Sequence, residues 1–324
     1  MAISQSDSNQ APPRTGVRIG TRGSPLALAQ AREVEARLIA AHPHLAATGA
    51  IEIRVIKTTG DKVQDRPLSE IGGKGLFTKE IEEALLAGEI DIAVHSMKDV
   101  PTFLPDGLVI KCLLPREDPR DVLIATAGTS IATLPRNAVV GSASLRRAAQ
   151  VKALRPDLSI VPLRGNVETR IAKVQRGDVT ATLLALAGLK RLHKESAATA
   201  ILSADEILPA VAQGAIGLET RANDDRTNAL LAPLNDPETA VRVTAERACL
   251  AVLDGSCRTP IAAFAELNGE ALRLRALIAL PDGSKVHRRE ATAAAPSFNL
   301  GAARDLGEEI GRKLKEMAGP EFLT

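Results

Sequence analysis

The chain has 324 residues, of which 45% are hydrophobic and 25% are charged, and its formal net charge is +2. This length predicts two or three domains, and the globular composition excludes a wholly disordered chain. The near-neutral charge and the 2% aromatic content argue against a nucleic-acid-binding protein, which needs basic surfaces and stacking platforms. No apolar run reaches the roughly 20 residues of a membrane helix, so we expect no membrane partner.

Residues 1–14 are polar and lack an apolar run after a basic start, which predicts a disordered extension and not a secretory signal. The chain has three cysteines, Cys112, Cys249 and Cys257. This small odd number indicates no disulfide framework and favours a reducing compartment, so we expect a cytoplasmic protein. Their spacing does not resemble a metal site, and we expect no metal.

Short apolar strands alternate with amphipathic helices from Val17 to about Leu208, which predicts an α/β architecture with largely parallel sheets. Ser24 followed by Pro25 predicts a capped helix start. The elements predicted in this first unit are strands at Val17–Gly20, Ile51–Lys57 and Asp91–His95, and helices from Pro25 and over Thr78–Ala87.

A second unit of the same kind begins near Pro119, after a candidate hinge at Arg116–Arg120. Its predicted strands are Asp121–Ala125, Ala138–Gly141, Leu158–Leu163 and Val179–Ala185, and its predicted helices are Ser144–Arg155 and Val167–Arg176.

The pattern changes after Asp236, which precedes a proline and predicts another capped helix, running to Gly255. The dipeptide Asn268-Gly269 between two apolar runs predicts a hairpin of strands Ile261–Leu267 and Ala271–Leu280. A helix at Leu300–Met317 completes a small α+β domain.

Both α/β units place arginines just past a strand, where a helix begins. Open α/β sheets bind ligands beyond the carboxyl ends of their strands, and helix N-termini with arginines suit carboxylate or phosphate groups. The alternative for each arginine is an ordinary surface ion pair; several together favour an anionic ligand. The residues in question are Arg22, Arg146, Arg147, Arg164, Arg170 and Arg191.

Asp99 follows a buried strand and is flanked by Lys98, so its carboxylate is expected to stay ionised. It could then stabilise a developing cation or relay a proton; the alternative is a residue that caps a turn. His95, at the end of the same strand, is interpreted as a packing residue. Cys257 lies in a loop beside Arg258, which favours a reactive thiolate, although spacing alone leaves a plain surface cysteine open. The glycine-rich segment Ile71–Phe77 is either a flexible cover over a cleft or a plain loop.

Many segments in order, from about Arg18 to about Gly283, resemble the porphobilinogen deaminase (hydroxymethylbilane synthase) family. They include TRGSPLALAQA, GGKGLFTKEIE, DIAVHSMKDVP, SLRRAAQ, LRGNVETR and AQGAIGLE. The resemblance implies three domains, the first two similar to type II periplasmic binding proteins and the third α+β. We expect these domains at residues 15–115 with about 215–233, at 116–214, and at 237–324.

The resemblance also implies a transferase of tetrapyrrole (haem) biosynthesis that condenses four porphobilinogen molecules into hydroxymethylbilane, releases ammonia and acts as a monomer. Cys257 matches the residue that holds a dipyrromethane cofactor through a thioether, and Asp99 matches the catalytic carboxylate. The positions that match cofactor- and substrate-binding residues are Arg22, Ser24, Lys98, Ser144, Arg146, Arg147, Arg164, Arg170, Arg191 and Gln213, with Lys74, Phe77 and Lys79 as further candidates.

Two positions depart from the family pattern: Ser256 stands where a glycine is common, and Thr180 where an aspartate is common. Two other functions remain open: an anion-binding protein of two α/β lobes without catalysis, and an RNA-binding protein with arginine loops. The missing signal peptide and the cysteine-bearing third domain argue against the first, and low charge argues against the second.

Overall fold

The computed structural model describes residues 16–62, 75–253, 259–319 and 322, so the extension predicted over residues 1–14 lies outside the described residues. The strands in the described part are β1 (Val17–Thr21), β2 (Ile51–Val55), β3 (Ile92–Ser96), β4 (Leu108–Leu113), β5 (Asp121–Ala125), β6 (Val139–Gly141), β7 (Ser159–Val161), β8 (Ala181–Ala185), β9 (Ala200–Ile201), β10 (Ile216–Arg221), β11 (Ile261–Asn268), β12 (Ala271–Ala279) and β13 (Val286–Ala294).

Several helices begin where the sequence places N-cap residues. Ser24 Oγ accepts a hydrogen bond from the N–H of Ala27 at 3.2 Å, and Asp236 Oδ1 accepts one from Thr239 at 2.6 Å. These bonds satisfy N–H groups that the first helical turn leaves unpaired. The helices are α1 (Pro25–Ala41), α2 (Thr59–Lys62), α3 (Lys79–Leu86), α4 (Leu145–Leu154), α5 (Val167–Gln175), α6 (Leu186–Arg191), α7 (Asp225–Leu231), α8 (Pro237–Val252) and α9 (Leu300–Met317).

The strands form three sheets, with the orders β2-β1-β3-β10-β4, β7-β6-β8-β5-β9 and β11-β12-β13. The predicted α/β architecture with a small C-terminal α+β unit is therefore confirmed. The chain leaves the first sheet after β4 and returns to it only at β10. Two segments thus cross between the first and second sheets, at residues 114–120 and 208–215.

The prediction of largely parallel sheets is wrong, because half of the strand pairs in each α/β sheet are antiparallel. In the first sheet β10 runs antiparallel to β3 and β4, and in the second β5 runs antiparallel to β8 and β9. Both strands adjoin a crossing segment, and both are buried on two faces. The apolar run Val122–Ile124 of β5 resembles a buried parallel strand, and β10, which contains Glu219 and Arg221, was not among the predicted strands.

The third sheet is an antiparallel meander with α8 and α9 packed on it. Its core extends into the first unit, since Met97 and Val100, next to the end of β3, are buried in one cluster with Ala245, Cys249 and Ile310. The sequence did not predict β13, whose residues are mostly polar and half-buried or exposed.

Candidate active site

Asp99 lies at the end of a single 3-10 turn, Met97–Asp99, directly after β3. The N–H of Met97 donates to the carbonyl oxygen of Ala215 at 3.0 Å, which ties this turn to the second crossing segment. Met97 packs directly over Gly217 of β10, where a Cβ atom would lie 2.0 Å from its Sδ. The turn is thereby fixed on a buried base while the Asp99 side chain itself is exposed.

Asp99 lines a cleft of about 480 Å³ at the carboxyl ends of β1 and β3. This placement agrees with the expected position of ligand sites in open α/β sheets. The residues that line the cleft are Arg22, Ser24, Leu26, Ala27, Gln30, Phe77, Thr78, Val94, His95, Ser96, Lys98 and Asp99.

Arg22 is held from two sides at one wall of the cleft. Its guanidinium forms an ion pair with Asp61 and lies 4.1 Å from the centre of the Phe77 ring. Burial opposes ionisation of Asp61, but hydrogen bonds from Arg22 outweigh it and lower the pKa of that carboxyl. Arg22 is therefore pre-oriented, and Phe77 acts here as its support.

A chain of hydrogen bonds leads from Lys98 into the second sheet. Lys98 Nζ donates to Gln213 Oε1 at 3.3 Å, and Gln213 Nε2 donates to Asp121 Oδ1 at 2.9 Å. Arg146 and Arg147 both pair with Asp121 at 2.7 Å, and all three side chains are buried. Burial would raise the pKa of Asp121, but the two guanidinium groups lower it overall, so this carboxylate stays ionised.

The cations of the two α/β units are close enough to repel one another. Lys98 retains open surface, yet the surrounding protein, followed by the charge of Arg147, lowers its pKa to about 8. Burial, followed by the same arginine, lowers the pKa of Arg170 to about 10, whereas Asp99 acts in the opposite direction on both. A crowded set of cations that outnumbers its two carboxylates, Asp99 and Asp121, is suited to a ligand with several negative charges.

Two further predicted residues belong to the second unit's side of this set. Ser144 caps α4 by accepting a hydrogen bond from the N–H of Arg147 at 3.4 Å, which helps to fix the start of that helix. Arg164, half-buried after β7, lies near enough to Arg170 to lower its pKa. The structure thus brings Lys98 and Arg170 each within electrostatic reach of Asp99 and Arg147, and Arg164 within reach of Arg170.

The structure does not bring every predicted residue to the cleft. Arg191 contacts Glu33 of α1 at 3.4 Å and the carbonyl of Gly214 at 3.0 Å, where it joins the two units. Lys79 is exposed on α3, 3.9 Å from Glu83. Lys74 and Cys257, together with the departure at Ser256, lie outside the described residues.

Sequence reasoning did not assign a role to Asp121. The sequence does contain a signal for such a role, an acidic residue at the start of the buried run Val122–Ile124. A carboxylate in such a place requires charged partners. His95 is buried and contacts Glu219 at 2.9 Å, in keeping with its interpretation as a packing residue. Gln30, also missed, donates to Ser96 Oγ at 2.9 Å at the cleft floor.

No group of His, Cys, Asp or Glu side chains in the described ranges has an arrangement that would hold a metal ion. Among the helices that the structure describes, none is long and apolar enough to cross a membrane.

Comparison with known proteins identifies the family. Residues 17–229 match the family model "Porphobilinogen deaminase, dipyromethane cofactor binding domain", and residues 240–316 match "Porphobilinogen deaminase, C-terminal domain". The porphobilinogen deaminase of Paracoccus denitrificans is 57% identical over 310 residues, which cover 96% of this chain and 97% of the relative.

The chloroplastic porphobilinogen deaminase of Oryza sativa subsp. japonica is 55% identical over 307 residues, covering 94% of this chain and 85% of the relative. Among solved structures, a TRAP periplasmic solute binding protein from Desulfovibrio salexigens matches with a TM-score of 0.38 and 13% identity, over 93% of this chain and 92% of its own. From its family-model matches and its extensive identity to these relatives, the chain belongs to the porphobilinogen deaminase family.

Proposed function

We propose that this chain is a transferase that condenses four porphobilinogen molecules head to tail into hydroxymethylbilane, with release of ammonia, in tetrapyrrole biosynthesis. The chain would build its product on a dipyrromethane cofactor held through a thioether to Cys257. The observation that carries this proposal is that one acidic side chain, Asp99, lies within electrostatic reach of cations from both α/β units.

The described residues fit such a cofactor. Each pyrrole unit carries two carboxylates, so a pair of linked units brings four negative charges. Burial, followed by repulsion from Arg147, lowers the pKa values of Lys98 and Arg170, and bound carboxylates would offset that repulsion. Arginine forms bidentate hydrogen bonds with carboxylates, which explains the residue type. We assign cofactor and substrate binding to Arg22, Ser24, Lys98, Ser144, Arg146, Arg147, Arg164, Arg170, Arg191 and Gln213, with Lys74, Phe77 and Lys79 in supporting roles.

The arginines differ in how directly they are expected to act. Arg146 and Arg147 share Asp121, so this group of three side chains has one net positive charge. Arg170 donates through Nε to the carbonyl of Gly165, a bond that orients its guanidinium. Arg191 pairs with Glu33 and with the carbonyl of Gly214, so we expect it to support binding indirectly, by joining the units.

Asp99 is assigned the catalytic role. Loss of ammonia from an aminomethyl pyrrole leaves a cation on the substrate, and a carboxylate near the pyrrole N–H stabilises that charge as it develops. Asp99 is exposed to the cleft on a turn with a buried base, so it can reach a substrate without moving the backbone. The same carboxylate can hold the proton that the ring gives up when the new bond forms.

Cys257 is assigned the attachment of the cofactor. A thiolate is a soft nucleophile and forms a stable thioether with an electrophilic methylene carbon. When bound, the dipyrromethane group supplies the pyrrole carbon to which the next unit is joined. The described cysteines, Cys112 and Cys249, are buried, and burial raises the pKa of each to about 12, so neither competes for this role.

We further propose domains at residues 15–115 with about 215–233, at 116–214 and at 237–324, and a cytoplasmic monomer whose partner is the small-molecule substrate, without nucleic acid or membrane. The buried, unpaired Cys112 and Cys249 support a reducing compartment. Each proposed domain contains one sheet, which supports the boundaries.

The test is the intact mass of the purified protein, followed by peptide mapping. The expected result is a mass gain equal to two linked pyrrole units on the peptide that contains Cys257. A sample without the adduct should acquire it on incubation with porphobilinogen, and Cys257→Ala should not. A protein that neither carries nor acquires the adduct, yet binds a dicarboxylate tightly, would instead be an anion-binding protein.

A further inference from the structure

Arg247, a residue of α8 in the third unit, contacts the backbone immediately after Asp99. Its Nη1 donates to the carbonyl oxygen of Val100 at 3.1 Å, and its Nη2 donates to the carbonyl oxygen of Pro101 at 2.6 Å. These bonds connect residues 146 and 147 positions apart in the chain. They are direct polar links between residues 99–107, here called the Asp99 loop, and the third unit.

The bonded segment has little other support from regular structure. Residues 100–107 form neither helix nor strand, and Pro101 has no N–H with which to pair. On the near side of Asp99 the chain is fixed by β3 and by the Met97 contact with β10. On the far side, the Val100 side chain is buried in the third unit's core, and the two carbonyl groups held by Arg247 add a polar attachment.

The same helix leads to the proposed cofactor attachment. α8 ends at Val252, five residues after Arg247, and Cys257 follows five residues further on. A helix rises about 1.5 Å per residue, so Arg247 lies roughly 8 Å along a rigid rod from the end that leads to this cysteine. Cys249, Ala245 and Val243 of α8 are buried against the third unit's core, which keeps the rod in place.

We propose that Arg247 is a positioning residue for the reaction: it sets the position of Asp99 relative to the helix that leads to Cys257. This inference rests on the proposed function and adds a residue to it. Arginine is suited to the task because its planar fork presents two N–H groups in a fixed geometry, here to two successive carbonyls. A lysine in its place presents its N–H groups from a single rotating nitrogen, so it holds the two carbonyls in a less defined geometry.

The first test compares Arg247→Met with Arg247→Lys and with Arg242→Met in the cofactor-loaded enzyme. Arg242 is on the same helix and pairs with Glu238 at 3.1 Å, and it has no contact with the Asp99 loop among its hydrogen bonds and ion pairs in the described residues. A displacement of a catalytic group by about 1 Å costs up to about 100-fold in rate. We therefore expect kcat to fall about 10- to 100-fold in Arg247→Met with KM within about twofold, partial recovery in Arg247→Lys, and wild-type values in Arg242→Met.

The second test asks whether Arg247 acts through Asp99. In an Asp99→Asn background, adding Arg247→Met should lower kcat by less than about twofold. The reason is that displacing residue 99 costs little rate when its carboxylate has already been removed. A full additional loss in this background would overturn the proposal, since the effect would then not pass through Asp99.

A third measurement does not depend on turnover. In Arg247→Met, hydrogen exchange of peptides covering residues 99–108 should accelerate, while peptides from β6 and β8 should keep their protection. Unchanged exchange at 99–108 would overturn the proposal whatever the rates. Failure of the proposed function has a different signature, because the wild type and Arg242→Met would then lack both the adduct and turnover of porphobilinogen.

Discussion

Replacing Glu246 by glutamine is expected to weaken the junction between the third unit and both crossing segments. Glu246 is fully buried on α8 and accepts four hydrogen bonds. Arg116 donates two of them, at 2.6 and 3.1 Å, from the first crossing segment. The N–H of Ala212, in the second crossing segment, donates at 2.6 Å, and that of Ala265, in β11, at 2.8 Å.

The expected loss of stability follows from two interactions that the glutamine amide cannot make. Glutamine keeps the shape but removes the charge, so the buried Arg116 guanidinium loses its counter-ion. Breaking a buried ion pair in this way costs about 3–5 kcal/mol. The amide NH₂ also cannot accept a hydrogen bond, which leaves the N–H of Ala212 or Ala265 without an acceptor, at about 1–3 kcal/mol. Since the two costs overlap, we expect a loss of about 4 kcal/mol, a large share of a total stability of about 5–15 kcal/mol.

The measurement is native-state hydrogen exchange of the α8 amides in increasing urea, which reports the free energy of opening for that helix. Glu238→Gln is the matched control, because Glu238 is exposed on the same helix and its pair with Arg242 should contribute only about 0.3–0.5 kcal/mol. If the two variants differ by less than about 1 kcal/mol, the argument that Glu246 holds the junction is refuted.

Three further outcomes are expected. In thermal unfolding, Gly214→Ala should destabilise the protein by about 1–3 kcal/mol more than Gly177→Ala. Both glycines have positive φ, but only at Gly214 would a Cβ lie 2.3 Å from a carbonyl oxygen, that of Glu117. KM for porphobilinogen should rise between pH 7 and 9 as Lys98, with a pKa lowered to about 8, loses its charge; Lys98→Met should flatten that rise. Iodoacetamide at pH 8 should spare Cys112 and Cys249 in the native protein, where burial raises both pKa values to about 12, and modify both after unfolding, as mass spectrometry would show.

The local elements follow from the sequence with good agreement. Ser24 and Asp236 cap the helices that they were predicted to cap, and the final helix has the predicted bounds, Leu300–Met317. Capping and apolar periodicity involve residues within a few positions of one another, so the chain itself contains the whole signal. The family resemblance, confirmed by the comparisons, likewise rests on motifs in sequential order.

The site was predicted less completely, because its charges come from distant parts of the chain. The motif around Asp99 identified a candidate carboxylate, but its link through Lys98 and Gln213 to Asp121 spans both units. The assignments of the binding residues and of Asp99 and Cys257 remain predictions.

By itself, the sequence determined the capped helices, the two α/β units with a smaller third one, the family, and the residues worth testing. Only the tertiary structure decided that β10 and β5 run antiparallel to their neighbours and that Asp121 holds two arginines. It also decided that Arg116 pairs with Glu246 of α8 and that Arg247 donates to the carbonyl of Val100. The physical reason is separation along the chain: a buried charge needs a partner, but the partner lies 130 residues away for Arg116 and Glu246, beyond the reach of any local pattern.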